Sequence, residues 1–122
     1  MRIDRKIASG IKEMLSKYPV IALTGPRQSG KTTLLRSMFP NFHYVSLENP
    51  DNRDFAQSDP NGFLKEYSSE VIIDEVQRAP SIFSYIQSWV DENGLMGQYI
   101  LSGSQNFHLM NNITQSLAGR VA

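Results

Sequence analysis

Short apolar runs alternate with amphipathic segments along the chain, a pattern typical of a parallel α/β sheet with helices on both faces. The apolar runs predict four strands, at 18–25, 42–47, 70–74 and 98–103. Helical spacing of apolar residues predicts helices over 4–17, 31–39, 79–94 and 111–120. The polar segment 48–69 predicts one or two short helices, and the aromatic residues Phe39, Phe42 and Tyr44 are predicted to be packing residues.

Composition narrows the function before any motif is considered. The 122 residues include twelve basic and twelve acidic side chains, so no net charge attracts the chain to nucleic acid or to a membrane. The absence of cysteine excludes disulfides, thiolate metal sites and a cysteine nucleophile, and it fits a reducing compartment. No apolar run approaches the roughly 20 residues that span a bilayer. We therefore expect a cytoplasmic protein without a membrane partner.

The segment TGPRQSGKTTLL, residues 24–35, carries the clearest chemistry. It matches G-x-x-x-x-G-K-[ST] at every fixed position and lies between a predicted strand and a predicted helix, where a simple glycine turn is the weaker explanation. Glycines let successive backbone N–H groups point at a phosphate, and the helix start adds a positive dipole end. The predicted nucleotide-binding residues are Gly25, Pro26, Arg27, Gln28, Ser29, Gly30, Lys31, Thr32 and Thr33.

Within this loop, Lys31 would reach the β- and γ-phosphates, and the Thr32 hydroxyl would bind Mg²⁺. A second motif, VIIDEVQRAP, places two adjacent carboxylates at the end of a predicted strand. Because strand residues alternate in direction, Asp74 and Glu75 are expected to have different roles. Asp74 would hold Mg²⁺, directly or through water, and Glu75 would orient the attacking water; the alternative is a solvated acidic pair.

A third motif, YILSGSQNF, ends a strand in polar residues on the same predicted edge of the sheet. Ser104 is the first candidate for contact with the γ-phosphate or the attacking water and Gln105 the second, whereas simple turn chemistry is the alternative. Two arginines, Arg120 and Arg78, are candidates for neutralising transition-state charge. The alternatives are a helix C-cap interaction for Arg120 and an exposed loop cation for Arg78.

Together these motifs resemble the prokaryotic AAA-type ATPases of the ASCE division, whose P-loop reads GPRQ-x-GKTTL and whose acidic motif reads IDEVQRAP. The resembling stretches are GPRQSGKTTLL, YVSLENP, IIDEVQRAPSIF, WVD, ILSGSQNF and SLAGRV, in the family's order and covering nearly the whole chain. The resemblance implies a P-loop NTPase fold, a three-layer sandwich with a mostly parallel central sheet and an extra strand between the P-loop strand and the acidic strand. It also implies ATP and Mg²⁺ as ligands, with Ser104 in the sensor strand.

One departure from that family concerns the C-terminal side. Family members continue after LAGRV with a fifth strand, a helical lid and a further domain. We therefore expect residues 1–122 to be a single P-loop ATPase core from the N-terminal part of a longer protein, truncated before the fifth strand. The P-loop strand would then be an exposed edge, which favours self-association by edge-strand pairing or in a ring.

Several functions stay open at this level. The leading expectation is binding of Mg-ATP and its hydrolysis to ADP and phosphate, and the alternative is a nucleotide-gated binding or switch module with little turnover. A small-molecule kinase would need an acceptor-binding lid, and a GTPase would need an N-K-x-D motif that the sequence lacks. Nucleic acid would be contacted only through the full-length protein, since nothing in this chain's charge indicates it.

Overall fold

The computed structural model describes residues 5–25 and 31–104, together with Gly119. Strands and helices alternate along these ranges, as the hydrophobic pattern predicts. The strands are β1 (Val20–Gly25), β2 (His43–Ser46), β3 (Val71–Asp74) and β4 (Tyr99–Ser104). The helices are α1 (Arg5–Leu15), α2 (Lys31–Met38), α3 (Pro50–Ser58), α4 (Pro60–Glu66) and α5 (Ile82–Asn93), with a 3₁₀ turn at Val76–Arg78. The predicted helix over 111–120 lies outside the described residues.

The four strands form one parallel sheet in the order β1-β4-β3-β2. The last strand in sequence, β4, lies between β1 and β3, which confirms the predicted extra strand between the P-loop strand and the acidic strand. Among the described residues β1 pairs only with β4, so it forms one edge of this sheet. Because all strands are parallel, their carboxyl ends meet at one edge of the sheet, where ligands bind in open α/β folds.

Alternate residues of each strand face opposite layers of helices, because side chains of a strand alternate in direction. Val71 and Ile73 of β3 belong to a core shared with α3, α4 and α5, whereas Ile72 packs with α1 and α2. The same alternation separates Tyr99 and Leu101 from Ile100 in β4. The predicted three-layer α/β sandwich is therefore confirmed.

The ends of the helices follow local capping chemistry. Asn49 caps α3 by accepting hydrogen bonds from the N–H groups of Asp51 and Asn52, and Asp59 caps α4 through Gly62 N–H. The predicted helix over 79–94 instead begins at Ile82, two residues after Pro80, and a 3₁₀ turn at Val76–Arg78 precedes it. It ends as predicted at Gly94, whose left-handed backbone (φ 66°) closes the last turn.

Candidate functional site

Asp74, the last residue of β3, is the centre of the hydrogen-bonded network at the carboxyl edge of the sheet. Its Oδ2 accepts hydrogen bonds from Thr32 Oγ1 (2.9 Å) and Tyr44 Oη (2.8 Å). Its Oδ1 accepts from Ser102 Oγ (2.5 Å) and from the backbone N–H of Glu75 (3.0 Å). The carboxyl group is only 6% exposed, and these four donors satisfy about the four acceptor sites that a carboxylate offers.

Sheet register explains why the hydroxyl groups converge on this carboxylate. The pairing of β3 with β4 aligns Ile72 with Ile100, so two residues later Asp74 and Ser102 lie side by side on the same face. Tyr44 of β2 pairs with Ile72 and faces the same layer. Thr32 comes from the first turn of α2, which packs on that face. The network therefore forms because side chains of β2, β3 and β4 point to the same face of the sheet, and because α2 packs on that face.

The Thr32 hydroxyl and the Asp74 carboxylate together fit a magnesium site. The hydroxyl proton is directed at Asp74, which leaves the lone pairs of the Thr32 oxygen to bind a cation. Both groups offer the hard oxygen atoms that Mg²⁺ prefers, and this ion usually takes only one or two protein ligands beside phosphate and water. The described residues accordingly contain no group of three or more histidines or acidic residues that could hold a metal by itself.

Glu75 follows Asp74 but has different partners, and strand alternation is not the reason, because β3 ends at Asp74 and Glu75 lies in the turn that follows. Its backbone is left-handed (φ 57°, ψ 45°), a conformation that non-glycine residues adopt at a cost and that is common at functional sites. The side chain is 7% exposed, and one carboxylate oxygen accepts a hydrogen bond from Gln77 Nε2. The turn thus directs the second carboxylate away from the Asp74 network while it stays at the same end of β3.

Tyr44 brings an aromatic donor to the network. Burial, followed by the hydrogen bond to Asp74 and the carboxylate charge, raises the pKa of Tyr44 to about 12. The phenol therefore keeps its proton, and can donate it to Asp74, throughout the neutral range. The Arg36 guanidinium carbon lies 4.5 Å from the centre of the Tyr44 ring, a distance at which a cation and an aromatic face attract each other.

The structure brings some of the predicted site residues together and leaves others undescribed. Lys31 begins α2, Thr33 is exposed on it, and the β1–β4 register aligns Ser104 with Gly25. This pairing places the backbone of the predicted sensor serine beside the first glycine of the loop. The predictions that lie outside the described residues concern Pro26, Arg27, Gln28, Ser29, Gly30, Gln105 and Arg120.

Three residues of the site were not among the sequence predictions. Ser102 is a lone serine inside an apolar strand, Tyr44 was predicted to be a packing residue, and Gln77 belongs to the acidic motif without an assigned role. The alternation of side chains along a strand could have identified Ser102, because it lies two residues before the predicted sensor Ser104 and on the same side of the strand. Tyr44 and Gln77 offered no such signal, since their partners depend on how β2 and the 3₁₀ turn pack.

Comparison with known proteins agrees with this geometry. Residues 17–122 match the family model described as an AAA domain. The chain belongs to the AAA domain family. Its function is therefore of the nucleotide-binding ATPase type, in keeping with the fold and with the network around Asp74.

Relatives and a solved structure extend the comparison. Two uncharacterised proteins, Mb2031c of Mycobacterium bovis and Rv2008c of Mycobacterium tuberculosis, are each 34% identical over 123 residues, covering 99% of this chain. The chain spans only 28% of the length of these relatives. The crystal structure of the DnaC helicase loader is similar with a TM-score of 0.54 at 14% identity, covering 93% of this chain and 75% of that one. This last similarity supports the P-loop NTPase fold alone.

No helix in the described part of the chain is both long and apolar enough to cross a membrane.

Proposed function

We propose that this chain binds Mg-ATP and hydrolyses it to ADP and phosphate, as the core of a prokaryotic AAA-type ATPase of the ASCE division. The observation that carries the proposal is the 2.9 Å hydrogen bond between Thr32 Oγ1 and Asp74 Oδ2, across 42 positions of sequence. It joins the last residue of the G-x-x-x-x-G-K-[ST] motif to the first carboxylate of the acidic motif. A hydroxyl and a carboxylate in this relation are the protein groups that hold Mg²⁺ in P-loop enzymes.

Each predicted residue then has a distinct task. The loop from Gly25 to Gly30 and Lys31 would bind the phosphates through backbone N–H groups and the lysine ammonium. Thr32 would offer its oxygen to Mg²⁺, and Asp74 would hold the ion, directly or through a water molecule, and fix the direction of the Thr32 hydroxyl. When bound, Mg²⁺ supplies positive charge that neutralises the phosphate oxygens. Ser104 and Arg120 are proposed to contact the γ-phosphate region and to stabilise transition-state charge.

Glu75 is the proposed base of the reaction. Its carboxylate would accept a hydrogen bond from a water molecule whose oxygen forms a bond to the γ-phosphorus. The bond between that phosphorus and the β–γ bridging oxygen breaks, and its electron pair leaves with ADP. The proton released by the water passes by way of Glu75 to solvent or phosphate. Phosphoryl transfer of this kind depends chiefly on positioning and charge stabilisation; Glu75 would position the water, and Lys31, Mg²⁺ and Arg120 would supply the positive charge.

The first test is phosphate release at saturating Mg-ATP by the chain and by two matched variants. Glu75→Gln removes the proposed base, whereas Glu70→Gln changes an exposed glutamate with a similarly positive φ (53°) at the other end of β3. We expect turnover to fall by at least about 100-fold in Glu75→Gln, the size of effect assigned to positioned acid–base groups. Glu70→Gln should keep the wild-type rate, and equal rates in the two variants would refute the role of Glu75.

One observation favours a second candidate, a nucleotide-gated switch with little turnover. The Glu75 carboxylate is buried and already engaged by Gln77, so it is restrained in this arrangement. Nucleotide binding that is lost in Lys31→Ala, without phosphate release from the wild-type chain, would favour this candidate. Absence of both binding and turnover would refute the two candidates together.

Among the described residues β1 is an edge strand, which supports a separate proposal, that copies of the chain associate by pairing along this strand or in a ring. Unpaired backbone groups of an edge strand can pair with another chain. Light scattering over a range of concentrations tests this proposal, and a monomer at the highest concentration would refute it.

A further inference from the structure

Thr32 and Arg36 lie one turn apart on α2, and both lead to the same carboxylate oxygen. Residues four positions apart in a helix share a face. Thr32 donates directly to Asp74 Oδ2, and Arg36 lies over the ring of Tyr44, whose hydroxyl donates to that same Oδ2. The four residues therefore contact one another in a ring, which connects α2, β2 and the end of β3.

Tyr44 is well placed to hold this oxygen in position. Its ring packs with the buried cluster beneath α2, and the stem of the side chain is fixed by pairing of β2 with β3. The ring is half-buried, and the guanidinium of Arg36 covers one face. A ring held on several sides has little freedom to turn, so its hydroxyl keeps a constant direction towards Asp74.

The orientation of the Asp74 carboxylate depends on Tyr44, because its two oxygens accept hydrogen bonds from different donors. Oδ1 is held by Ser102 and the Glu75 N–H, whereas Oδ2 is held by Thr32 and Tyr44. Thr32 is the residue that would bind the cation, so it is not an independent support for the geometry of that site. Tyr44 is the remaining described donor to Oδ2, and without it the direction of the Thr32 hydroxyl would rest on a carboxylate that is fixed on one side only.

We propose that Tyr44, backed by Arg36, is a positioning residue that orients Asp74 and thereby the Thr32 oxygen for binding of the divalent cation with the nucleotide. This inference rests on the proposed function and adds to it a residue that neither motif contains. Groups that orient metal ligands are worth about 10- to 100-fold in metal affinity when they are removed. A merely structural role for Tyr44 would change stability and leave the metal dependence unchanged.

The test measures binding of a fluorescent ATP analogue by the chain as a function of Mg²⁺ concentration, and again in the presence of a chelator. Tyr44→Phe removes only the hydroxyl and keeps the packing of the ring. Tyr99→Phe is the matched control, since its hydroxyl also donates a buried hydrogen bond (2.8 Å, to the Tyr67 carbonyl) but at the opposite end of the sheet. Thermal unfolding of both variants shows the stability that each lost hydroxyl contributes.

We expect the Mg²⁺ concentration for half-maximal effect to rise about tenfold in Tyr44→Phe and to stay at the wild-type value in Tyr99→Phe. Binding in the presence of chelator should be equal in all three proteins. A Mg²⁺ dependence in Tyr44→Phe equal to that of Tyr99→Phe would overturn the inference and leave the proposed function intact. Absence of metal-dependent nucleotide binding in the wild-type chain would overturn the proposed function, and this inference with it.

Arg36→Met supplies a second test that leaves every hydroxyl of the network in place. Arg36 is exposed, and together with Tyr44 it lines an open cavity of about 620 Å³, so the substitution creates no closed void. We expect a shift in Mg²⁺ dependence in the same direction and smaller than that of Tyr44→Phe. Unchanged Mg²⁺ dependence in Arg36→Met would refute the contribution of the guanidinium.

Discussion

Ser102 donates a 2.5 Å hydrogen bond from its hydroxyl to Oδ1 of Asp74, and so links the ends of two adjacent parallel strands. Ser102 is 1% exposed, and water therefore has little access to this side of the carboxylate. Asp74 thus has one oxygen turned towards the interior of the sheet and the other towards Thr32 and Tyr44. The interior side anchors the carboxylate, and the other side meets the proposed cation site.

This anchor makes Ser102→Ala the first prediction. Loss of a hydrogen bond to a buried charged group should lower the free energy of unfolding by about 1.5–3 kcal/mol, because the carboxylate loses a donor that water cannot replace. Urea denaturation measures the change. Ser84→Ala, an exposed serine on α5, serves as the control and should stay within about 0.5 kcal/mol of wild type. Equal stabilities of the two variants would contradict the prediction.

Ser102 also shows what could not be predicted from the sequence alone. The β3 strand was predictable because three apolar residues precede two carboxylates, and the start of α2 at Lys31 was predictable because helical spacing begins there, directly after the second glycine of the motif. Ser102 was not predicted, although the strand order was, because the register that places it beside Asp74 cannot be read from the sequence of β4 alone. Tyr44 looks like any other aromatic residue in a strand, since nothing in its local sequence shows that its hydroxyl reaches another strand.

The first residue of α5 is another feature that the sequence did not predict correctly. Pro80 is a typical residue for the first turn of a helix, and the helix was therefore predicted from Ala79. In the structure the helix begins at Ile82, after Ser81, and a 3₁₀ turn at Val76–Arg78 precedes it. That turn follows Glu75, whose left-handed backbone is uncommon for a non-glycine residue and is not indicated by its local sequence.

Alkaline pH provides a second prediction, from the raised pKa of Tyr44. The unfolded chain loses this proton near pH 10, whereas the folded protein holds it until about pH 12. Between these values the unfolded state binds fewer protons, so the contribution of Tyr44 is complete below pH 10 and is lost as the pH rises to about 12. Tyr44→Phe should therefore lose less stability than wild type across this window in urea denaturation. An identical decline in both proteins would contradict the assignment.

Burial likewise raises the pKa of Tyr99, so part of the alkaline decline should persist in Tyr44→Phe. The difference in tyrosinate absorbance between wild type and Tyr44→Phe isolates the titration of Tyr44 from that of the other four tyrosines. In Asp74→Asn the pKa of Tyr44 should fall, because the carboxylate that raises it has become a neutral amide. Tyr99 has no contact with Asp74 among the described residues and should titrate as in the wild-type chain.

The third prediction concerns alanine substitutions at three glycines, one of which should stabilise the protein while the other two should destabilise it. Gly10 lies inside α1, and an added Cβ would meet no atom within 4 Å, so Gly10→Ala should stabilise the protein by about 0.5–1 kcal/mol. Gly94 has φ +66° in open space, and Gly94→Ala should cost about 1–2 kcal/mol for the left-handed backbone alone. Gly97→Ala should cost more, since φ is +65° and the Cβ would lie 2.9 Å from the Leu15 carbonyl oxygen.

Urea denaturation of the three glycine variants tests this order. A destabilised Gly10→Ala would show that α1 does not gain from helix propensity at this position. Equal losses in Gly94→Ala and Gly97→Ala would show that the chain beside Leu15 moves to admit a methyl group.

Gln77 leads to the last prediction. Its Nε2 donates to Glu75, while its Oε1 is buried without a hydrogen-bond partner among the described residues. Gln77→Met removes the unpaired Oε1 but also takes the donor from the buried Glu75 carboxylate, so it should lower the free energy of unfolding by about 1–3 kcal/mol. Turnover should also fall by up to about 100-fold with KM unchanged, because Glu75 loses the group that orients it.

Gln98 offers the matched control for this variant. Its Nε2 donates to the Met96 carbonyl at 2.9 Å and its Oε1 is likewise buried without a partner in the described part of the chain, but it precedes β4 at the end remote from Asp74. Gln98→Met should therefore show a smaller loss of stability, because its amide donates to a neutral carbonyl, with wild-type kcat and KM. If kcat is equal in the two variants, Gln77 does not orient Glu75. If instead Gln77→Met raises KM and leaves kcat unchanged, its contact with Glu75 contributes to nucleotide binding and not to the reaction.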